Sequence, residues 1–483
     1  MRPFFSLAAF LLSITASLFS GEPVAAPAAP LAQKPSLLDR VIHLNKVHEP
    51  ELDEPALRAN FSALVEKART ALTGKQTAKE KIAALNATLL ADRKVSYLSN
   101  KYWRDATLAA CVVRTQGNCL STSTLYTLVG KELGLPVKMV LIPGHAFVRW
   151  DDGKEKINIE TTSGGNEIAD SAYLSRGQQP APDDIERLRV CASLSDDEFL
   201  GELTRVAARF RAGENKQDEA LKMLEEAQRL LPGRSDIALE RIELQADATN
   251  ERALARQQVL KLLTSAEYAP LPSSVASSAL MYLAQDAAAT GDHDEERAYL
   301  LSAYAAAPKA QQVSVLTQLG FCYRALKDFR ASVRVMELAA VLDPQNPSTL
   351  YNLAILQKCD GKLPDALKTI RMARKLNPES WNLQILEAGY LVLSGNRDEG
   401  TELYTKLEKP RGDTEFWNIM QAWYHSAARN DAQFYQSFEY ALQESKTTGI
   451  LEWIDQDPDL DPYRMEERFM KLVREHRTRL TAK

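Results

Sequence analysis

The sequence predicts a chain of two unlike parts, an α+β domain over residues 38–190 and an all-α solenoid of helical hairpins over 199–445. Three observations predict it. Between Gly117 and Gly165 the apolar period changes from that of a helix to the alternation of strands. Beyond residue 200 the text is Ala-rich and helical, and Pro344 and Pro378 stand 34 residues apart. The chain has 483 residues, 45% apolar and 25% charged, which is more than one ordinary domain and enough to bury separate cores.

The N-terminus reads as an address. Arg2 followed by an apolar run from Phe4 to Phe19 has the form of a secretory signal over residues 1–20, too short to span a bilayer comfortably. Leu18 is larger than the residue usually wanted three places before a cleavage point. Left uncleaved, the segment would tether the protein to a membrane. Residues 21–37, rich in Pro and Ala, read as an extended linker. An exported, periplasmic or otherwise extracytoplasmic location is the expectation.

The α+β domain carries the chemistry. Leu120, Leu125, Leu128 and Val129 fit one stripe of a helix that opens at Cys119, and Gly134 and Pro136 supply its stop. Cys119 then lies in the first turn, where unpaired N–H groups and the positive end of the helix dipole favour a thiolate and could hold an oxyanion. Gly117 allows a sharp turn into the helix and Asn118 is its expected N-cap.

Residues 137–142 read as a strand, Pro143-Gly144 as a break, and 145–150 as a second strand. A turn over Asp151-Asp152-Gly153-Lys154 leads to a third strand ending on Glu160. With a four-residue turn there, His145 lies directly across from Glu160, and Arg149 across from Lys156; a slip of the pairing would instead face His145 with Asn158. Ala146, Val148, Trp150, Ile157 and Ile159 share the expected core face, with His145 and Glu160 on the other. Cys119, His145 and Glu160 thus form a candidate nucleophile, base and orienting acid.

The blocks Gly117-Asn118-Cys119-Leu120-Ser121, Leu133-Gly134-Leu135-Pro136, Pro143-Gly144-His145-Ala146-Phe147-Val148 and Ile157-Asn158-Ile159-Glu160-Thr161-Thr162 resemble the core of transglutaminase-like proteins. The resemblance extends over roughly residues 38–170, including Pro50-Glu51-Leu52-Asp53 and Ala83-Ala84-Leu85-Asn86, and looks like a bacterial branch in which tetratricopeptide repeats follow. It implies a papain-related α+β fold with Cys119 as nucleophile, His145 as general base and Glu160 as third member. That superfamily more often carries Asp in the last place. No side chain matches an oxyanion donor, which leaves the Cys119 backbone N–H.

Composition narrows the rest. A net charge of −5 with both signs interspersed gives no basic stripe, so nucleic acid is not an expected partner. Cys111, Cys119, Cys191, Cys322 and Cys359 make an odd count without the spacing of a zinc site, and His43 and His48 are too isolated to argue a metal. No cofactor is expected.

The second part resembles tetratricopeptide repeats, with starts expected near 201, 277, 313, 347, 381 and 415 and a poor fit over 235–276. Small residues fall where paired helices must approach: Ala208, Ala220, Ala227, Gly320, Ala339, Ala354, Ala366 and Ala373. Residues 446–483, with Leu451, Trp453, Ile454, Phe469 and Leu472, read as a helical cap. The concave face of such a stack usually binds a peptide or protein segment. Two functions follow as expectations. One is an exported cysteine acyl-transfer enzyme, either a protease or amidase or an amide cross-linker, that recruits protein through its repeats. The alternative is an inactive transglutaminase-like fold serving as a binding scaffold in the cell envelope.

Overall fold

A computed structural model describes residues 35–91, 96–97, 103–175, 179–249, 251–410, 412, 414–445 and 449–481. The expected signal at 1–20 and nearly all of the expected linker lie outside them, as does the side chain of Trp453.

Helices α1 (Leu37–His48), α2 (Glu54–Ala71) and α3 (Ala78–Asn86) lead in, each opened by a side-chain cap from Ser36, Asp53 or Thr77. A π-helical turn at Ala87–Ala91 extends α3. The short strand β1 (Ser96–Tyr97) pairs in parallel with β2 (Gln116–Gly117), and between them come α4 (Trp103–Ala106) and α5 (Leu108–Val112). Helix α6 (Cys119–Glu132) follows, then strands β3 (Val137–Ile142), β4 (His145–Asp151) and β5 (Lys156–Ile159), an antiparallel sheet in that order. Helices α7 (Asp170–Leu174) and α8 (Pro182–Arg187) complete the α+β part.

Helix α6 is buried on every face from Leu120 to Gly130, not along the single stripe its apolar spacing predicts. Hydroxyls near its start offset part of the cost, because Ser121, Thr122 and Ser123 all find partners, whereas the buried hydroxyls of Thr124 and Thr127 have none among the described residues. Thr122 donates to the Asn118 carbonyl at 2.8 Å. Helix and sheet share one core with the lead-in: Leu125, Val129, Val148 and Ile159 pack with Leu57 and Phe61.

The β4–β5 register differs from the expected one. Arg149 faces Asn158 in place of Lys156, and Trp150 faces Ile157. The displacement runs opposite to the slip that would have faced His145 with Asn158. Its cause is local: Asp152 accepts from the N–H groups of Lys154 and Glu155 at 2.9 Å each, so the turn begins at Asp152 and Asp151 stays in the strand. The new register replaces a like-charge pair with a hydrogen bond of 2.6 Å from Arg149 Nε to Asn158. A shift of two keeps every side chain on its face. Ala146, Val148, Trp150, Ile157 and Ile159 accordingly lie in the core.

The remainder is all-α. Seven antiparallel hairpins follow: α9 (Asp196–Gly213) with α10 (Gln217–Leu230), α11 (Ser235–Thr249) with α12 (Arg252–Thr264), α13 (Ser273–Thr290) with α14 (His293–Ala306), and α15 (Lys309–Ala325) with α16 (Phe329–Leu342). Then come α17 (Pro347–Cys359) with α18 (Leu363–Leu376), α19 (Trp381–Leu393) with α20 (Arg397–Thr405), and α21 (Thr414–Ala427) with α22 (Asp431–Glu444). Helices α23 (Gly449–Gln456) and α24 (Glu467–Thr481) pack Ile454 and Phe469 on Phe434 and Phe438 of the last hairpin. The chain is thus an α+β domain followed by a tetratricopeptide-like array.

The small residues singled out by spacing sit at the helix contacts. Ala208, Ala220, Ala227, Ala339, Ala354, Ala366 and Ala373 have no exposed surface. The segment that fits the period poorly is a hairpin all the same, α11 with α12, whose long exit over residues 265–272 breaks the spacing. The first hairpins start earlier than the period places them, α9 at Asp196, α13 at Ser273 and α15 at Lys309.

The two parts are joined by more than the chain. Leu194, Phe199, Leu200, Leu203 and Ala207 belong to the core of the α+β domain. Farther along, Asp183 and Asp184 accept from the N–H and hydroxyl groups of Ser273 and Ser274 at 2.8 to 3.0 Å. They cap α13, whose own N-cap position is Pro272, so two carboxylates from α8 satisfy a helix start that its own sequence leaves uncapped.

Candidate active site

Cys119 is placed by the start of α6. Asn118 Oδ1 accepts from the N–H groups of Leu120 and Ser121 at 3.0 and 3.1 Å, while Ser121 Oγ accepts from the Asn118 N–H at 2.8 Å, a reciprocal cap. The cap leaves the Cys119 N–H as the helix donor beside the sulfur. Gly117 is required here, since a Cβ would come within 2.3 Å of Ser121 Oγ and 2.8 Å of Cys111 Sγ. Gly117→Ala should therefore disrupt the cap and cost about 1–2 kcal/mol in urea unfolding, with slower alkylation of Cys119. An unchanged unfolding midpoint would contradict this reading of the cap.

His145 begins β4 beside the Pro143-Gly144 turn, and Glu160 follows β5, bridged by backbone to Asn166. Although the register does not oppose them directly, His145 Nε2 stands 2.7 Å from Glu160 Oε2. A glutamate is long enough to reach a neighbour diagonally placed on the same sheet face. This use of Nε2 leaves Nδ1 for the thiol.

The electrostatics are consistent with one coupled unit. Hydrogen bonding to Cys119 first, and to Glu160 second, raises the His145 imidazolium to about 9 against its partial burial. Burial works against ionisation of Glu160, yet bonds from His145, from the Thr162 hydroxyl and N–H, and from Tyr173 hold its carboxyl down at about 2. Its side chain is 4% exposed and that of His145 26%.

Two residues that sequence reasoning passed over complete the acid's surroundings. Thr162 gives Glu160 Oε1 both its hydroxyl and its N–H, the latter at 3.0 Å. Tyr173, from α7, donates to Oε2 at 2.8 Å and lies flat on Phe147 with ring centroids 4.0 Å apart. It also stacks on His145 at 5.9 Å. Thr162 could have been read as the residue two beyond an acid, a spacing that commonly closes on itself. Tyr173 carried no local signal. Tyr173→Phe keeps the stacking but removes one of the bonds that hold the Glu160 carboxyl down, and should raise the Glu160 pKa by a few tenths to one unit. Titration of that carboxyl by NMR checks it; a value equal to the wild type would contradict a role for Tyr173 in keeping the acid ionised.

The loop that carries Glu160 is pinned to α6. Thr161 Oγ1 lies 2.9 Å from Thr122 Oγ1 and 3.0 Å from Ser123 Oγ. Asn86 donates to the Gly165 carbonyl at 3.1 Å and accepts from Tyr126 at 2.9 Å. Gly165 has φ +83°, and a Cβ there would strike the Asn86 amide.

Cys119 is half-buried and opens, with His145, onto a cleft of about 420 Å³. Its far wall comes from α9 and the start of α11, which the sequence did not connect with the site. Among the described residues no cluster of His, Cys, Asp and Glu could hold a metal ion. No disulfide joins any of the five cysteines. Burial pushes Cys322 up to about 12, Cys359 up to about 11, and Cys191 upward as well.

Among solved structures, a type IV pilus biogenesis factor, PilW, is 16% identical and covers 43% of this chain and 92% of its own, with a TM-score of 0.37. Pseudomonas aeruginosa PilF is 13% identical, over 50% of this chain and 98% of its own, with a TM-score of 0.37. The C-terminal part of a TPR repeat-containing protein from Cytophaga hutchinsonii is 13% identical, over 55% of this chain and 98% of its own, with a TM-score of 0.35. No curated protein matches the chain. The transglutaminase-like superfamily matches residues 55–182, the stretch that holds Cys119, His145 and Glu160, so the N-terminal part of this chain is a transglutaminase-like domain.

Proposed function

We propose that this protein is an exported cysteine acyl-transfer enzyme in which Cys119 is the nucleophile, His145 the general base and acid, Glu160 the group that orients His145, and the helical array a platform for protein substrate. One observation carries the reading: His145 is bonded at 2.7 Å to a buried carboxylate and lines the same open cleft as Cys119 at the head of α6.

The chemistry that suits this arrangement runs in two halves. Sulfur attacks the carbonyl carbon of an amide or ester, forming a C–S bond. The oxyanion takes the Cys119 N–H, and His145 gives its proton to the leaving amine or alcohol as the C–N or C–O bond breaks. In the second half water or an amine gives a proton to His145 and attacks the thioester carbon, releasing the acid or a new amide and returning the thiolate. Water makes the protein a protease or amidase; an amine makes it a cross-linker. Export is supported by the apolar run of residues 4–19. Partner binding is supported by the tetratricopeptide-like architecture.

The test is acylation by p-nitrophenyl acetate. The expected result is a burst of nitrophenolate matching one acetyl group per chain, located on Cys119 by peptide mass spectrometry and absent in Cys119→Ala. Acetylation spread over lysines, with no burst and no dependence on Cys119, would favour a binding scaffold built on the same fold.

A further inference from the structure

We infer that the first helical hairpin is part of the substrate site: α9 forms the far wall of the Cys119 cleft, and that wall selects a bulky, uncharged apolar side chain on the acyl donor. The inference rests on the acyl-transfer reading of Cys119 and assigns it a substrate class.

The apolar lining comes from both parts of the chain. Leu120 and Ile142 approach from the domain, Leu188 from the connection, and Val206 and Phe210 from α9. All but Leu120 are only partly buried, and so have surface left to cover. A peptide side chain placed between them would remove further apolar area from water, the usual source of pocket affinity. At about 420 Å³ the cleft suits one or two large side chains of an extended segment.

The charged part of the wall argues for the same class by exclusion. Arg205 holds Asp236 at 2.5 Å and Glu240 at 2.7 Å, and Arg234 holds Asp236 at 2.8 Å and Glu202 at 2.5 Å. These five side chains are 9 to 20% exposed. Each of these five charges has an opposite partner in hydrogen-bonding contact, so a charged group seated against Arg205 or Arg234 would have to break a buried pair and leave one member uncompensated, which is unfavourable. Arg189 and Arg209, at the exposed rim of the same lining, are paired with Glu198 at 3.1 Å and Glu240 at 2.6 Å. An apolar group leaves the network intact.

Because α9 belongs to the array as well as to the cleft, its side chains can set selectivity without touching Cys119, His145 or Glu160. The experiment uses the full chain and a set of peptidyl acyloxymethyl ketones that differ only in carrying leucine, glycine or aspartate beside the electrophilic carbonyl. The reading is the second-order rate of Cys119 modification, with iodoacetamide as a probe that has no side chain to place. The leucyl probe should react at least ~30-fold faster than the glycyl one and ~100-fold faster than the aspartyl one. Val206→Trp, which fills the cleft from the array side, should reduce the leucyl-to-glycyl ratio to within about threefold. Phe210→Ala, which enlarges it, should also lower that ratio, and gives a second variant should the first fail to fold. Equal leucyl and glycyl rates in the wild type, or a ratio unmoved by both substitutions, would overturn the inference while leaving the acyl-transfer reading standing. Failure of Cys119 to react with any probe, iodoacetamide included, would overturn both.

Discussion

Replacing His145 with alanine should slow the alkylation of Cys119 by iodoacetamide about 100-fold near pH 6.5. A positively charged ring beside the sulfur is what activates a cysteine toward electrophiles, and removing it typically costs on the order of 100-fold. The hydrogen bond to Cys119, with Glu160 behind it, keeps His145 protonated up to about 9, so the wild-type advantage should persist across neutrality and disappear as the pH passes about 9. At the acid end no limb should come from Glu160, which stays ionised down to about 2. Glu160→Gln preserves shape but removes the charge behind the ring, and should cost about tenfold. Background labelling is small, because burial raises the Cys191, Cys322 and Cys359 thiols and Cys111 has no exposed surface. An alkylation rate unchanged in His145→Ala would contradict the coupling of thiol and ring.

Asp236→Ala should destabilise the chain by roughly 2–3 kcal/mol in urea unfolding, the largest stability effect expected from one substitution outside the hydrophobic cores. Asp236 stands between Arg205 and Arg234, with its side chain 14% exposed. Removing one partner of a buried pair typically costs about 3–5 kcal/mol because a charge is left uncompensated. The lower figure applies here because Glu240 and Glu202 would still hold the two guanidiniums. Burial opposes ionisation of Asp236, but Arg234 and Arg205 hold its carboxyl well below the ordinary range. A depressed carboxyl contributes stability that is complete above its unfolded pKa of about 3.9 and is withdrawn only as the pH falls through the lower folded value. The difference between wild type and variant should therefore be the same at about pH 7 and about pH 5, and shrink as the pH falls below about 4. A difference that stayed constant below about pH 4 would mean that Asp236 titrates alike in the folded and unfolded chain and that the network is weak.

Much of this was legible in the sequence because it is local. The start of α6 at Cys119, the strand β3 and the break at Pro143-Gly144 are set by capping, β-branching and turn residues within a few positions. The period of two put His145 and Glu160 on one sheet face, and a register shift of two could not undo that. What escaped is one local competition and several contacts with distant chain. The turn chemistry of Asp152 moved the register, and its side chain competes with a backbone geometry that spacing alone cannot weigh. Burial of α6 on all sides follows from helices and sheet that surround it, so an apolar stripe underestimates it. Tyr173 reaches Glu160 only because α7 folds across the sheet. Helix α9 reads from its own text as a repeat helix, and nothing in that text says that Val206 and Phe210 face the thiol's cleft.

The most direct test of the central claim is an NMR titration of the His145 ring in the full chain, compared with Cys119→Ala. An imidazole held between a thiol and a buried carboxylate should titrate near 9 in the wild type and fall by about one unit or more once the sulfur is removed, with the Glu160 bond keeping it above the ordinary value. A wild-type value near 6.5, unaffected by Cys119→Ala, would mean that sulfur, ring and acid do not act together.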